Sequence, residues 1–138
     1  MADKPIICKQ EIIRIKEVLE SGILVHGKVT KEFEDEFAKR VGTEFAISVS
    51  SCTAGLHLAL FCSDIKKGDY VAVPAMTHVA TAHVVELSGA TPIFIDIDKE
   101  TGNIDYEKLA KASKENVIKA IMPVHYLGLP CDMNKINE

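Results

Sequence analysis

Phe45-Ala46-Ile47-Ser48-Val49, followed directly by Ser50-Ser51-Cys52-Thr53-Ala54-Gly55-Leu56, decides how the rest of this chain is read. A short apolar run with two β-branched residues hands over, through small residues, to a helix pattern beginning near Thr53. The start of a helix leaves its first N–H groups unpaired and carries about half a unit of positive charge, so a phosphate settles there readily. This turn therefore reads as an anchor for a phosphate. What the phosphate carries has to come from further along the chain.

Downstream the same rhythm repeats. Apolar runs at Tyr70–Val73, Pro92–Ile97 and Ala120–Val124 join Phe45–Val49 as expected strands buried on both faces. Helix patterns at Thr53–Phe61, Val79–Leu87 and Tyr106–Ser113 separate them. Gly68-Asp69, Gly89-Ala90 and Gly102-Asn103 punctuate the turns, and Asp105 is placed to cap a helix. Such alternation predicts an α/β fold, a three-layer, mainly parallel sheet flanked by helices. Upstream, Val29, Phe33 and Phe37 recur every four residues and predict a helix over Thr30–Arg40, ended by Gly42. Ile12, Ile15 and Leu19 mark a shorter helix that stops at Ser21-Gly22, and Gly22–Lys28 is a loop carrying His26 and Gly27. The segment Asp132–Glu138 reads as a helix just starting, so the chain looks interrupted there.

Composition narrows the function classes. The 138 residues are 47% hydrophobic, which excludes a disordered acidic tail. Net charge is −4 and the lysines are scattered over expected helix faces, so nucleic acid and anionic membranes are not expected partners. No apolar run approaches the ~20 residues of a membrane span, and Met-Ala-Asp-Lys-Pro leads straight into a helix pattern with no signal peptide. Cys8, Cys52, Cys62 and Cys131 form no C-x-x-C pair and read as free thiols of a cytoplasmic protein.

In open parallel sheets, ligands bind at the carboxyl ends of strands. Three loops leave expected strands at that end: Ser50–Thr53, Pro74–His78 and Val124–Pro130. The first offers amides, the second a flat imidazole at His78 on a loop held by proline, the third a rigid turn with polar rings. Together they suit a planar, phosphorylated small molecule. His57 and His83 fall within helix patterns and read as packing or surface residues, and His125 can simply brace its turn. A metal site from His78, His83, His125 and Cys52 lacks the usual spacing, so no metal is expected. Cys52 has no traceable His–Asn or His–Asp pairing that would make it a catalytic nucleophile.

Five motifs in order then carry a family resemblance. They are Gly27-x-Val29-x-x-x-Phe33-Glu34; Ser51-x-Thr53-Ala54-Gly55-Leu56-His57-Leu58-Ala59-Leu60; Pro74-x-x-Thr77-His78-x-Ala80-Thr81; Gly89-Ala90-x-Pro92-x-Phe94-x-Asp96-Ile97; and Val124-His125-Tyr126-x-Gly128-x-Pro130-x-Asp132-Met133. From about Ser21 onward the chain resembles the N-terminal part of nucleotide-sugar aminotransferases of the DegT/StrS type, which are fold type I enzymes dependent on pyridoxal 5'-phosphate (PLP). The resemblance implies a large domain from residue 29 to 138, incomplete at its end, preceded by a helix and loop over 1–28. It implies that Cys52, Thr53 and Ala54 face the PLP phosphate, through main-chain N–H groups and the Thr53 hydroxyl, and that His78 stacks on the pyridine ring. His26 and Gly27 would lie at a substrate entrance shared across a homodimer.

The implied reaction moves an amino group from glutamate to a keto nucleotide-sugar. In this family the lysine that binds PLP as a Schiff base, and the aspartate that partners its ring nitrogen, lie downstream of the turn at 124–130. No lysine here sits in the matching context, so the chain alone is expected to be inert and no catalytic residue is assigned. A dehydratase branch of the same family, and a noncatalytic phosphate-ligand or interaction module derived from it, are the alternative readings.

Overall fold

The computed structural model describes residues 4–137. These fall into two compact units, one running to Ser48 and one beginning at Val49. The break thus comes later than the boundary at residue 28 expected from the sequence.

The first unit holds helices α1 (Lys9–Ser21) and α2 (Lys28–Val41). The Glu11 carboxylate accepts the Cys8 N–H at 2.7 Å, satisfying one donor at the start of α1. Both helices end on a left-handed glycine: Gly22 donates to the Leu19 carbonyl and Gly42 to that of Ala38. An Arg14–Glu32 ion pair at 2.7 Å links the two helices.

The strand expected over Phe45–Val49 does not form; the segment has no regular secondary structure and, among the described residues, pairs with no other strand. Its side chains show why. Phe45 is 74% exposed and Ile47 81%, so neither a hydrogen-bonded neighbour nor a covering layer holds the run as sheet. Its anchor is Glu34, whose carboxylate accepts the Ser48 hydroxyl at 2.6 Å and the Ser48 N–H at 2.8 Å. Those two bonds hold the Glu34 carboxyl below the usual range, the hydroxyl contributing most.

The second unit contains α3 (Cys52–Cys62), β1 (Tyr70–Pro74), α4 (Ala80–Leu87), β2 (Thr91–Ile95), α5 (Tyr106–Glu115), β3 (Ile118–Ile121), a 3-10 turn (Tyr126–Gly128) and α6 (Met133–Asn137). The strands form one parallel sheet in the order β2-β1-β3, with Val73 opposite Phe94 and Val71 opposite Ala120. Because side chains alternate across a strand, central β1 feeds two cores at once. Val71 and Val73 pack with Leu60 of α3, Val84 and Val85 of α4, and Ile65. Ala72, between them, packs on the other face with Ile95, Ile104 and Leu109 of α5. The result is helix, sheet, helix in three layers, as the sequence predicts. Burying each valine fully contributes on the order of 1.5–3 kcal/mol.

Strand β3 is set two residues earlier than the run Ala120–Val124 suggests. Met122 donates one further bond to the Ala72 carbonyl at 2.9 Å, and Pro123 has no N–H with which to continue the ladder. Beyond β2 the chain turns back on itself, with Ile97 bridged antiparallel to Ile104. The tip is closed by Asp98, whose carboxylate accepts from Thr101 N–H at 2.8 Å, Thr101 hydroxyl at 2.9 Å and Glu100 N–H at 3.0 Å. These donors, the Thr101 N–H foremost, hold the Asp98 carboxyl below its ordinary range.

A lowered folded-state value means stabilisation that is present above the unfolded carboxylate value of about 4 and lost as pH falls through the folded one. Asp98→Asn should therefore differ from wild type in urea midpoint by a constant amount at pH 6 to 7. The gap should shrink on acidification toward pH 3. An equal gap at both ends would assign the effect to shape instead of charge.

Candidate functional site

Helix α3 starts on Ser51, which has extended backbone and whose hydroxyl accepts the Ala54 N–H at 3.1 Å. Gly55 donates to the Ser51 carbonyl at 3.1 Å. The N–H groups of Cys52 and Thr53 have no acceptor among the described residues, and both residues are exposed. The start of α3 thus presents two open amides and the Thr53 hydroxyl, with the Ala54 amide occupied by its serine cap.

His78 follows the carboxyl end of β1, just before α4. Its Nδ1 accepts the Ala80 N–H at 3.1 Å, which fixes the ring to the helix start and puts the imidazole proton on Nε2. Next to it, the hydroxyls of Thr77 and the buried Thr81 lie 3.0 Å apart.

The structure brings Cys52, Thr53, Thr77 and His78 to the rim of one cleft of about 700 Å³, whose further wall includes Pro123 and Val124 at the exit of β3. Three loops leaving the carboxyl ends of the expected strands had been singled out from the sequence. Two of them contribute their residues directly, and the third contributes its first residue. Ala54, half-buried, borders no part of the cleft.

His26 and Gly27 belong to the first compact unit. His26 is exposed with a φ of 51°, and Gly27 is the extended residue that opens α2. His57 and His83 are exposed on α3 and α4. His125 Nδ1 accepts the Cys131 N–H at 3.0 Å, so this imidazole does brace its turn. Burial pushes the Cys131 thiol up, away from reactivity. Among the described residues no three His, Cys, Asp or Glu side chains converge as a metal site, and no helix is long and apolar enough to cross a membrane.

One residue escaped the sequence reading. Asn103, only 3% exposed, donates from Nδ2 to the Leu129 and Pro130 carbonyls at 3.2 and 3.4 Å, and accepts the Tyr126 N–H on Oδ1 at 2.9 Å. Gly102-Asn103 was legible only as a turn. An asparagine two residues before a helix cap is an ordinary turn signal, and its true partners lie 23 to 27 residues away.

Over 132 residues the chain is 46% identical to the spore coat polysaccharide biosynthesis protein SpsC of Bacillus subtilis, covering 96% of this chain and 34% of that protein. It is 44% identical over 133 residues to the protein MJ1066 of Methanocaldococcus jannaschii, with the same coverage. Spr1654 of Streptococcus pneumoniae, assigned as a sugar aminotransferase, superposes in its PMP form with a TM-score of 0.90 at 36% identity, over 96% of this chain and 33% of that one. Its PLP form superposes with a TM-score of 0.89. The chain spans about a third of the length of the relatives it matches. Its helices and parallel sheet are thus those found in part of a fold type I PLP-dependent transferase. The model of the DegT/DnrJ/EryC1/StrS aminotransferase family matches residues 5–138, and the chain belongs to that family.

Proposed function

We propose that this chain forms the phosphate end and one ring face of the cofactor site of a PLP-dependent sugar aminotransferase. The observation that carries the reading is the shared cleft: Cys52 and Thr53 at the start of α3 and His78 after β1 border the same space. The residues present fit the group. Two open amides and a hydroxyl at a helix start suit a phosphate, and a side-tied imidazole offers a flat face. Bound PLP supplies an electron sink for chemistry at an amine-bearing carbon.

The chain's own residues bind and orient. The amides of Cys52 and Thr53 fix the anionic end, the Thr53 hydroxyl donates a further bond, and the His78 ring limits tilt. An amino group from glutamate passed to a keto nucleotide-sugar, in a cytoplasmic homodimer whose entrance includes His26 and Gly27, completes the proposal.

Titration of the chain with PLP and with pyridoxal, which lacks the phosphate, tests it by equilibrium dialysis. Thr53→Ala should weaken PLP about tenfold, the scale of one lost hydrogen bond to a charged group, and leave pyridoxal unchanged. His78→Ala should weaken both. Equal PLP affinity in Thr53→Ala and wild type would remove the phosphate assignment. For the donor and acceptor, an enzyme containing this chain should form 2-oxoglutarate from glutamate beyond one equivalent per cofactor only when a keto nucleotide-sugar is supplied.

A further inference from the structure

The turn that follows β3 is held in an unusual way. Leu127 sits in the left-handed region at φ 50°, ψ 27°, where a branched side chain is disfavoured, and its side chain is 90% exposed. Such a conformation persists only where the surroundings over-determine it. Here the contact from outside the turn is one buried carboxamide. Asn103 closes the turn from both sides, taking the Tyr126 N–H and giving to the Leu129 and Pro130 carbonyls. Within the turn, Gly128 N–H donates to the His125 carbonyl at 3.1 Å and Leu129 N–H to the Tyr126 carbonyl at 2.9 Å, while the Cys131 N–H reaches His125 Nδ1 and the Cys131 thiol the Val124 carbonyl at 3.2 Å. Val124, at the near end of this clamped segment, is part of the wall of the cleft that holds Cys52, Thr53 and His78.

We propose that Asn103 is a positioning residue for the cleft: by clamping the 126–130 turn it sets the Pro123–Val124 wall against which the cofactor is seated. This rests on the PLP reading above. Asn103 need not touch the ligand. Its contribution is to keep the wall in one place, so that a bound molecule does not have to order the turn at its own expense. Ligand and turn should therefore stabilise each other reciprocally.

The test uses the chain itself with PLP as the probe. Asn103→Ala should weaken PLP by about tenfold, within the usual range of coupling between sites, in samples shown by urea titration to remain folded. Leu127→Gly relieves the left-handed residue, and in combination with Asn103→Ala it should recover part of the lost affinity. A merely structural role predicts a lower urea midpoint with unchanged affinity, and that result would overturn the proposal.

Should Asn103→Ala fail to fold, the wild-type chain still decides the matter. PLP should slow hydrogen exchange at the Tyr126 and Cys131 amides, and no change there would overturn the proposal as well. Thr53→Ala separates the two readings. If it weakens PLP while Asn103→Ala does not, the positioning role alone falls. If neither Thr53→Ala nor His78→Ala binds PLP more weakly than wild type, the cofactor reading falls and takes this one with it.

Discussion

Gly102→Ala should lower the unfolding free energy of this chain by about 2–4 kcal/mol, combining the cost of a left-handed alanine with that of overpacking. Gly102 is buried with a φ of +71°, a region that side chains disfavour. A Cβ there would also meet the Tyr126 ring, 2.9 Å from Cε1 and 3.1 Å from Cγ. The Tyr126 backbone is held by Asn103, so any relief has to come from rotation of the ring. Urea unfolding followed by circular dichroism measures the loss. Combining Gly102→Ala with Tyr126→Ala should return the packing share and leave only the backbone share. A single mutant within 0.5 kcal/mol of wild type would mean that the ring moves aside at little cost.

The second large effect is expected at Ile104, which is fully buried where Ala72 of β1, Ile95 of β2 and Leu109 of α5 meet. Truncation to alanine should cost about 2–5 kcal/mol, and truncation to valine about 0.5–1.5 kcal/mol. Ile104 also carries the backbone bridge to Ile97, so the residue fastens the return of the β2 strand to its own sheet. A loss below 1 kcal/mol for alanine would show that the core under α5 collapses readily around the gap. The same urea titrations give the answer, with the slope checked for constancy.

The central sheet was readable because its strands satisfy themselves. Tyr70–Pro74 is flanked on both sides within the described residues, so the apolar run and the structure agree. Phe45–Val49 has the same kind of sequence and a different fate. Periodicity reports what a segment would do beside suitable neighbours, and says nothing about whether those neighbours are there. The strand expected over Ala120–Val124 ends early for a local reason, the missing N–H of Pro123.

At the candidate site, Thr53 and His78 stood out because their loops follow strands in the order that parallel sheets require. Asn103 did not, since a buried amide is defined by partners far away in sequence. The serine cap on Ala54 was equally hidden: Ser51 was legible as a cap, but not which amide it would claim.

The unpaired run ending at Val49 has a practical meaning for anyone handling this polypeptide. Its five residues carry no proline or charge, and Phe45, Ile47 and Val49 turn rings or branches to water, so the run is an adhesive ribbon tethered at the Ser48 amide by Glu34 and at the Phe45 carbonyl by Thr43. Concentrated samples are expected to associate through that ribbon while the helices and sheet of the second unit keep their order.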